Sequence, residues 1–247
     1  MSQSQDTKQS IFAHLAELRK VLVFSAGTIA VAFFLVFYFA ADTLMSLLLS
    51  PISARGIEVI YTAMSEALMT KMKVSFIAAV VLVSPVLLWQ VWNFIKPALY
   101  PHEKKSVRLL FAVTVFLFLL GVAFCYSAVY MLAVDFFIVS GENLAVPMLS
   151  IDKYVSFLFG FVLPFGLAFE LPVALYLTTR MGLTNYQMLA SKRKYVILAV
   201  AIIAAILTPP DVVSQVMLGI PILLLFELSL LICRWIKPRN AQDTVDA

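Results

Sequence analysis

One carboxylate stands alone in a long apolar run. Glu170 is the single charged residue between Tyr154 and Thr179, in a stretch reading Gly160-Phe161-Val162-Leu163-Pro164-Phe165-Gly166-Leu167-Ala168-Phe169-Glu170-Leu171-Pro172. The run is long enough to cross a bilayer, which takes roughly 20 residues. A carboxylate at that depth costs a few kcal/mol or more unless it is paired, hydrated or protonated. On the functional reading, Glu170 faces a water-filled cavity, a partner protein or a polar ligand. On the structural reading, it bonds a neighbouring helix.

Two more acids sit among cations. Glu17 lies in His14-Leu15-Ala16-Glu17-Leu18-Arg19-Lys20, and Glu103 in Pro97-Ala98-Leu99-Tyr100-Pro101-His102-Glu103-Lys104-Lys105. As isolated surface residues they read as local charge balance. Glu17 would pair with Lys20 at i+3, and Glu103 with Lys104 or Arg108. Enzyme chemistry finds no foothold: there is no Gly-rich phosphate loop, nucleophile elbow or metal-spaced His/Cys set. His14 and His102 are the only histidines, and both fall at the membrane surface. The chain is therefore read as a non-enzyme without metal or cofactor. Cys125 and Cys233 lie far apart in apolar segments and read as buried free thiols.

The elements that position these acids follow from composition. Of 247 residues, 62% are hydrophobic and 13% charged, about half the charged share of a soluble domain. The apolar runs are continuous rather than alternating, which makes this an all-α polytopic membrane protein and not a barrel. The net charge of +4 does not indicate nucleic acid, because the cations stand between apolar runs.

Residues 1–9 are polar and expected to be disordered, and a membrane domain is expected over 10–235, followed by a polar tail, 236–247. Ser10 could cap a surface helix over 11–20, with Ile11, Leu15 and Leu18 on one face. The first span, roughly 21–41, is too long for the core of a cleaved leader and should be retained. A short amphipathic helix over 42–50 is stopped by Pro51. A loop follows through Arg55, Glu58 and Glu66. Later spans are expected over 74–95 (kinked at Pro85), 109–134, 154–179, 195–207 and 212–233. Asp135 falls in a loop on this reading, and 180–194 is a polar loop. The fifth span covers only ~20 Å of a ~30 Å core. Asp211 is placed to cap the sixth, which Ser214, Gln215 and Pro221 interrupt.

Six spans put both termini on one side, and Lys and Arg choose which. With the termini inside, that side holds fourteen cations: Lys8, Arg19, Lys20, Lys96, Lys104, Lys105, Arg108, Arg180, Lys192, Arg193, Lys194, Arg234, Lys237 and Arg239. The other side holds four: Arg55, Lys71, Lys73 and Lys153. Both termini are therefore expected in the cytoplasm. Lys71 and Lys73 crowd the outer end of the second span, where Glu66 could offset one of them. Glu227 is expected to snorkel or to pair near Arg234.

Four segments, in this order and spacing, resemble the TatC family, the polytopic receptor subunits of the bacterial twin-arginine protein translocase. They are His14-Leu15-Ala16-Glu17-Leu18-Arg19-Lys20; Phe94-Ile95-Lys96-Pro97-Ala98-Leu99 with Glu103; Phe169-Glu170-Leu171-Pro172; and Leu207-Thr208-Pro209-Pro210-Asp211-Val212-Val213-Ser214-Gln215. The resemblance runs from about Ile11 to about Trp235. It implies six helices in a concave, cup-like arrangement in the cytoplasmic (inner) membrane, and transport of folded proteins driven by the proton-motive force. It also implies that Glu17, Phe94, Pro97 and Glu103 bind the signal peptide, two carboxylates holding two guanidiniums. Glu170 would be the intramembrane polar site, and Thr208, Asp211, Ser214 and Gln215 would meet single-span partners of the TatA and TatB type. Membrane lipid and further copies within a larger complex complete the implied partners. The alternative is a proton-coupled secondary transporter using Glu170. A membrane scaffold with no ligand is a third reading.

Overall fold

The computed structural model describes residues 3–95, 104–141, 148–208 and 211–236. Almost all of the described backbone is helical. Five helical stretches are long and apolar enough to cross a membrane: Ala16–Phe39, Glu66–Phe94, Arg108–Gly141, Ile151–Arg180 and Val212–Trp235. The expected fifth span is present as a shorter helix, described below. The chain divides into two compact units, one of residues 1–51 and 68–111, the other of residues 52–67 and 112–247.

In the first unit, α1 (Gln3–Phe39) is one unbroken helix. The expected separate surface helix over 11–20 is instead its cytoplasmic part, and the lead-in expected to be disordered is helical from Gln3. No proline interrupts α1, and its only glycine, Gly27, lies well inside the apolar stretch. α2 (Ala41–Ser53) continues through Pro51 rather than stopping there. Proline removes the N–H that would bond the carbonyl four residues back. Here Ser50 Oγ donates to that carbonyl, Leu47 O, at 2.8 Å. The same device recurs in α3 (Glu66–Ile95): Ser84 Oγ donates to Val81 O at 2.7 Å, the carbonyl that Pro85 leaves. α3 therefore begins eight residues before the expected span and passes its proline unbroken.

α1 and α3 pack antiparallel around Ala32, Val36, Ala79 and Val83. Ser25 Oγ bonds Gln90 Oε1 across the pair at 2.9 Å. At the opposite end Lys71 Nζ bonds Asp42 Oδ1 at 2.7 Å and stands 5.8 Å from the centre of the Phe37 ring. The partner of Lys71 is thus Asp42, not Glu66.

In the second unit, α4 (Lys104–Phe124), a π-helical segment (Cys125–Tyr130) and α5 (Met131–Gly141) form one continuous helical run. Asp135, expected in a loop, lies within α5 and pairs with Arg55 at 2.6 Å. Two short strands, β1 (Val59–Ile60) and β2 (Leu149–Ser150), pair in parallel and join the two outer loops. Glu66 clamps the same junction. Its carboxylate accepts from Thr62 N, Thr62 Oγ1, Ala63 N, Ser150 Oγ and Asp152 N.

The expected fourth span is two helices, α6 (Ile151–Ala168) and α7 (Leu171–Arg180), with a turn at Phe169 and Glu170. α8 (Tyr186–Ser191) occupies the expected loop, capped by Asn185 Oδ1 on Met188 N at 2.7 Å. α9 (Arg193–Leu207) has only 15 residues. α10 (Val212–Trp235) runs unbroken past Pro221 and packs chiefly on α7 and α9. Glu227 pairs with Arg193 at 2.8 Å rather than with Arg234. At the α10–α7 contact the buried Thr179 hydroxyl reaches Cys233 Sγ at 3.3 Å. Both cysteines are free and buried, as expected.

Close approach at Gly160 fixes α6 against the end of α9. A Cβ there would lie 2.6 Å from the Leu207 carbonyl oxygen. That atom is backbone and cannot rotate away. Gly160→Ala should therefore destabilise the purified protein by about 1–3 kcal/mol. Gly27→Ala, where a Cβ meets nothing within 4 Å, should be neutral or stabilising by up to ~1 kcal/mol. Thermal unfolding of both variants in one detergent checks the pair.

Candidate functional site

Glu170 sits where the backbone ladder is interrupted. Pro172, in the first turn of α7, has no N–H to offer Ala168 O. The chain turns instead: Phe169 N bonds Phe165 O at 3.0 Å, Glu170 N bonds Leu167 O at 3.1 Å, and Ala174 N resumes the helix on Glu170 O at 2.9 Å. Glu170 is the N-cap residue of α7, yet its side chain makes no capping bond. Glu170 Oε1 is buried and has no hydrogen-bond partner among the described residues. Among the described residues, that oxygen makes no bond to a neighbouring helix.

The turn is held by aromatic packing from α4. Phe124 meets Phe165 and Phe169 at ring-centre distances of 5.9 and 5.7 Å. Gly121 leaves room for this: a Cβ there would come within 2.9 Å of the Phe169 ring. The carboxylate is thus presented by a packed, rigid corner rather than by a mobile loop. A fixed carboxylate short of bonding partners can take a proton, a cation or a donor from another polypeptide.

The first unit places two of the four expected peptide-binding residues. Glu17 is exposed on α1, and no ion pair joins it to Lys20 among the described residues. Phe94 is half-buried on the last turn of α3. From the Ser25–Gln90 bond, Glu17 is eight residues back along α1 and Phe94 four residues on along α3. At about 1.5 Å per residue both lie beyond that bond in the same direction, by roughly 12 and 6 Å. The antiparallel pair brings them to one end. Pro97 and Glu103 lie outside the described residues.

The four residues expected to meet partners gather at the α9–α10 turn. Most of their polar groups bond the turn itself. Thr208 is buried, with its hydroxyl on Ala204 O at 2.8 Å. Asp211 caps α10 as expected, Oδ1 accepting from Ser214 N at 2.7 Å. Gln215 Nε2 crosses to α9 and donates to Ala201 O at 2.9 Å. Ser214 differs from the others. It is fully buried, and its hydroxyl has no partner among the described residues.

Three ion pairs or hydrogen-bond hubs escaped sequence reading: Glu66 with its five donors, Arg55 with Asp135, and Arg193 with Glu227. Each joins segments far apart in the chain, and no local spacing signals them. Among the described residues no group of His, Cys, Asp and Glu could hold a metal ion.

Known proteins place the chain clearly. The family model described as TatC, Sec-independent protein translocase protein, matches residues 13–221. A protein named Sec-independent protein translocase protein TatC from Carboxydothermus hydrogenoformans is 37% identical over 237 residues, covering 96% of this chain and 97% of that one. The protein of the same name from Aquifex aeolicus is 40% identical over 221 residues, covering 88% and 91%. A crystal structure described as the twin arginine translocase receptor TatC superposes with a TM-score of 0.83 at 39% identity, covering 90% of this chain and 98% of the solved one.

Removing the unpartnered hydroxyl at the α9–α10 turn should cost the isolated protein nothing. Ser214→Ala is expected to leave its unfolding midpoint unchanged or raise it, by about 1 kcal/mol of stability, because a buried donor without a partner is itself destabilising. Unfolding of the lone subunit checks this. A clear drop would mean that the hydroxyl is bonded inside the chain.

Proposed function

The chain belongs to the TatC family of Sec-independent protein translocase proteins, and from that premise we propose that it is the receptor that docks twin-arginine signal peptides for transport of folded cargo. It is a multi-pass helical protein of the bacterial cytoplasmic membrane, and its family is a translocase component rather than an enzyme. In the proposed mechanism, Glu17 and Glu103 each take one guanidinium of the arginine pair, and Phe94 packs on the peptide's apolar part, beside Pro97. An arginine fork suits a carboxylate because two parallel N–H donors meet two oxygens. Both acids stand among cations in the sequence, so an arriving arginine is repelled by those neighbours while it is drawn to the carboxylate. The gain must come from the bidentate geometry itself.

The observation that supports this reading best is likeness along nearly the whole length of a solved twin-arginine translocase receptor. An exposed Glu17 with no ion pair to Lys20 among the described residues agrees with it. TatA- and TatB-type single-span helices are the proposed partners, meeting Glu170 and the α9–α10 turn, with further copies of this chain in the assembly. The energy is proposed to come from the proton-motive force.

Two experiments test the proposal. A photo-crosslinking twin-arginine peptide should label the wild-type chain in membranes. Glu17→Ala and Glu103→Ala should each weaken labelling about tenfold or more, since a charge-assisted hydrogen bond contributes about 1.5–3 kcal/mol. Undiminished labelling in both would remove the site assignment. Separately, Glu170→Gln keeps the shape of the side chain and removes its charge. Export of a twin-arginine cargo should fall while the subunit remains folded and at normal abundance. Unchanged export would favour a purely structural carboxylate.

A further inference from the structure

A second site lies at the outer ends of three helices in the second unit, away from Glu170. A cavity of about 460 Å³ opens where α5 ends, α6 begins and α10 begins. Val134, Phe137 and Ile138 of α5 and Phe157 of α6 form its walls, and Lys153 and Asp211 stand at its rim. At about 1.5 Å per residue, the walls reach some 5–11 Å inward from the helix ends, whereas the two charges sit at the ends themselves. That is the layout of a phospholipid: chain below, headgroup above.

The walls argue against a peptide. They are apolar, so an extended strand entering them would leave its N–H and C=O groups without partners. A helix satisfies its own backbone, but the cavity has room for only about one turn of a helix some 10 Å across. An acyl chain is narrow and carries no hydrogen-bonding groups. It gains little by leaving the bilayer, however, because lipid tails are already apolar. Selectivity must therefore reside at the rim.

Among the described residues the rim carries one charge of each sign. Lys153 is exposed at the third position of α6. Asp211 uses Oδ1 to cap α10, which leaves its second oxygen for another donor. A phosphate fits the ammonium, and a primary ammonium fits the carboxylate. An anionic headgroup would satisfy the lysine but meet the aspartate with like charge. A quaternary ammonium has no N–H to give. We propose that this cavity binds one chain of an outer-leaflet phosphatidylethanolamine, with its phosphate on Lys153 and its ammonium on Asp211.

Native mass spectrometry of the full-length protein tests the proposal after exchange into an equimolar mixture of phosphatidylethanolamine and phosphatidylglycerol. One phosphatidylethanolamine should be retained in preference to phosphatidylglycerol. Lys153→Gln should lower that retention about tenfold, a charge-assisted contact being lost. Gly141→Trp fills the cavity from its α5 side. A Cβ there meets nothing within 4 Å, so the variant should fold with an unchanged unfolding midpoint and retain no lipid at this site. Equal retention of the two lipids by the wild type would overturn the assignment. So would undiminished retention in both variants. If Gly141→Trp unfolds, the Lys153→Gln result decides alone, because that position is exposed and lies outside the packed core.

Discussion

No water reaches a bilayer core, so every backbone N–H and C=O there must find its partner within the protein. The prolines of this chain show how that rule is met and where it is broken. At Pro51 and Pro85 the preceding serine lends its hydroxyl to the carbonyl that proline leaves, and the helix runs on. Pro172 follows Glu170 and Leu171, and neither side chain reaches back in that way. There the ladder breaks. Glu170 stands at the break because the turn opens the backbone beside it, and the aromatic corner of Phe124, Phe165 and Phe169 keeps the turn in place. An acid and a helix break at one position are mutually supporting: both are costly in lipid, and both become tolerable where another polar group can enter.

The same economy of charge governs the helix ends outside the membrane. Four cations fall on the outer side, and Lys71 and Lys73 crowd the end of one span there. Two of them are tied to acids: Arg55 to Asp135 and Lys71 to Asp42. Glu66, which might have been spent on a lysine, instead gathers five donors from both outer loops. That binds the start of α6 to the loop before α3 and fixes the register of β1 on β2. The outer loops are therefore organised by acids, with carboxylates as hubs and cations as pendants. The bias toward cytoplasmic termini rests on the count of cations on each side, fourteen against four.

Much of the fold was legible in the sequence, and the reasons differ by element. Span number and order followed from apolar run length, which lipid enforces directly. Asp211 was legible as a cap because capping is local: its carboxylate meets the N–H three residues on. The boundaries were not. α1 reaches back to Gln3, α3 starts at Glu66 and α5 runs to Gly141, and hydropathy reports none of these ends; at Glu66 the helix start is held by that carboxylate accepting from Thr62 N and Ala63 N. The break at Phe169–Glu170 was half legible. Pro172 announced it, but Pro221 and Pro85 announce breaks that do not occur. Pro85 has Ser84 reaching back, while Pro164 and Pro221 stand inside helices that run on, so a proline alone does not announce a break. Of the candidate residues, Glu17 is exposed and Glu170 Oε1 is buried without a partner among the described residues, and neither state was readable from spacing. At the α9–α10 turn, Thr208, Asp211 and Gln215 make bonds within the chain, whereas the Ser214 hydroxyl makes none among the described residues.

That last point changes what a partner helix could read at the turn. Thr208 and Gln215 bond Ala204 and Ala201, so the hairpin is built before any partner arrives. What α9 offers outward is apolar: Ile197, Leu198, Ile202, Ile203 and Ile206 are all exposed. Its 15 residues span about 22 Å, short of a ~30 Å core. A helix that falls short by several ångströms thins the bilayer around it or recruits protein to cover the difference. Interhelical hydrogen bonds in membranes average only about 0.6 kcal/mol, so polar contacts alone would hold a single-span partner weakly. Mismatch acts along the whole exposed face and needs no free donor. The shortness of α9, bounded by the bonded turn at Thr208 and Gln215, therefore makes this edge the place where the bilayer must thin or protein must cover the difference.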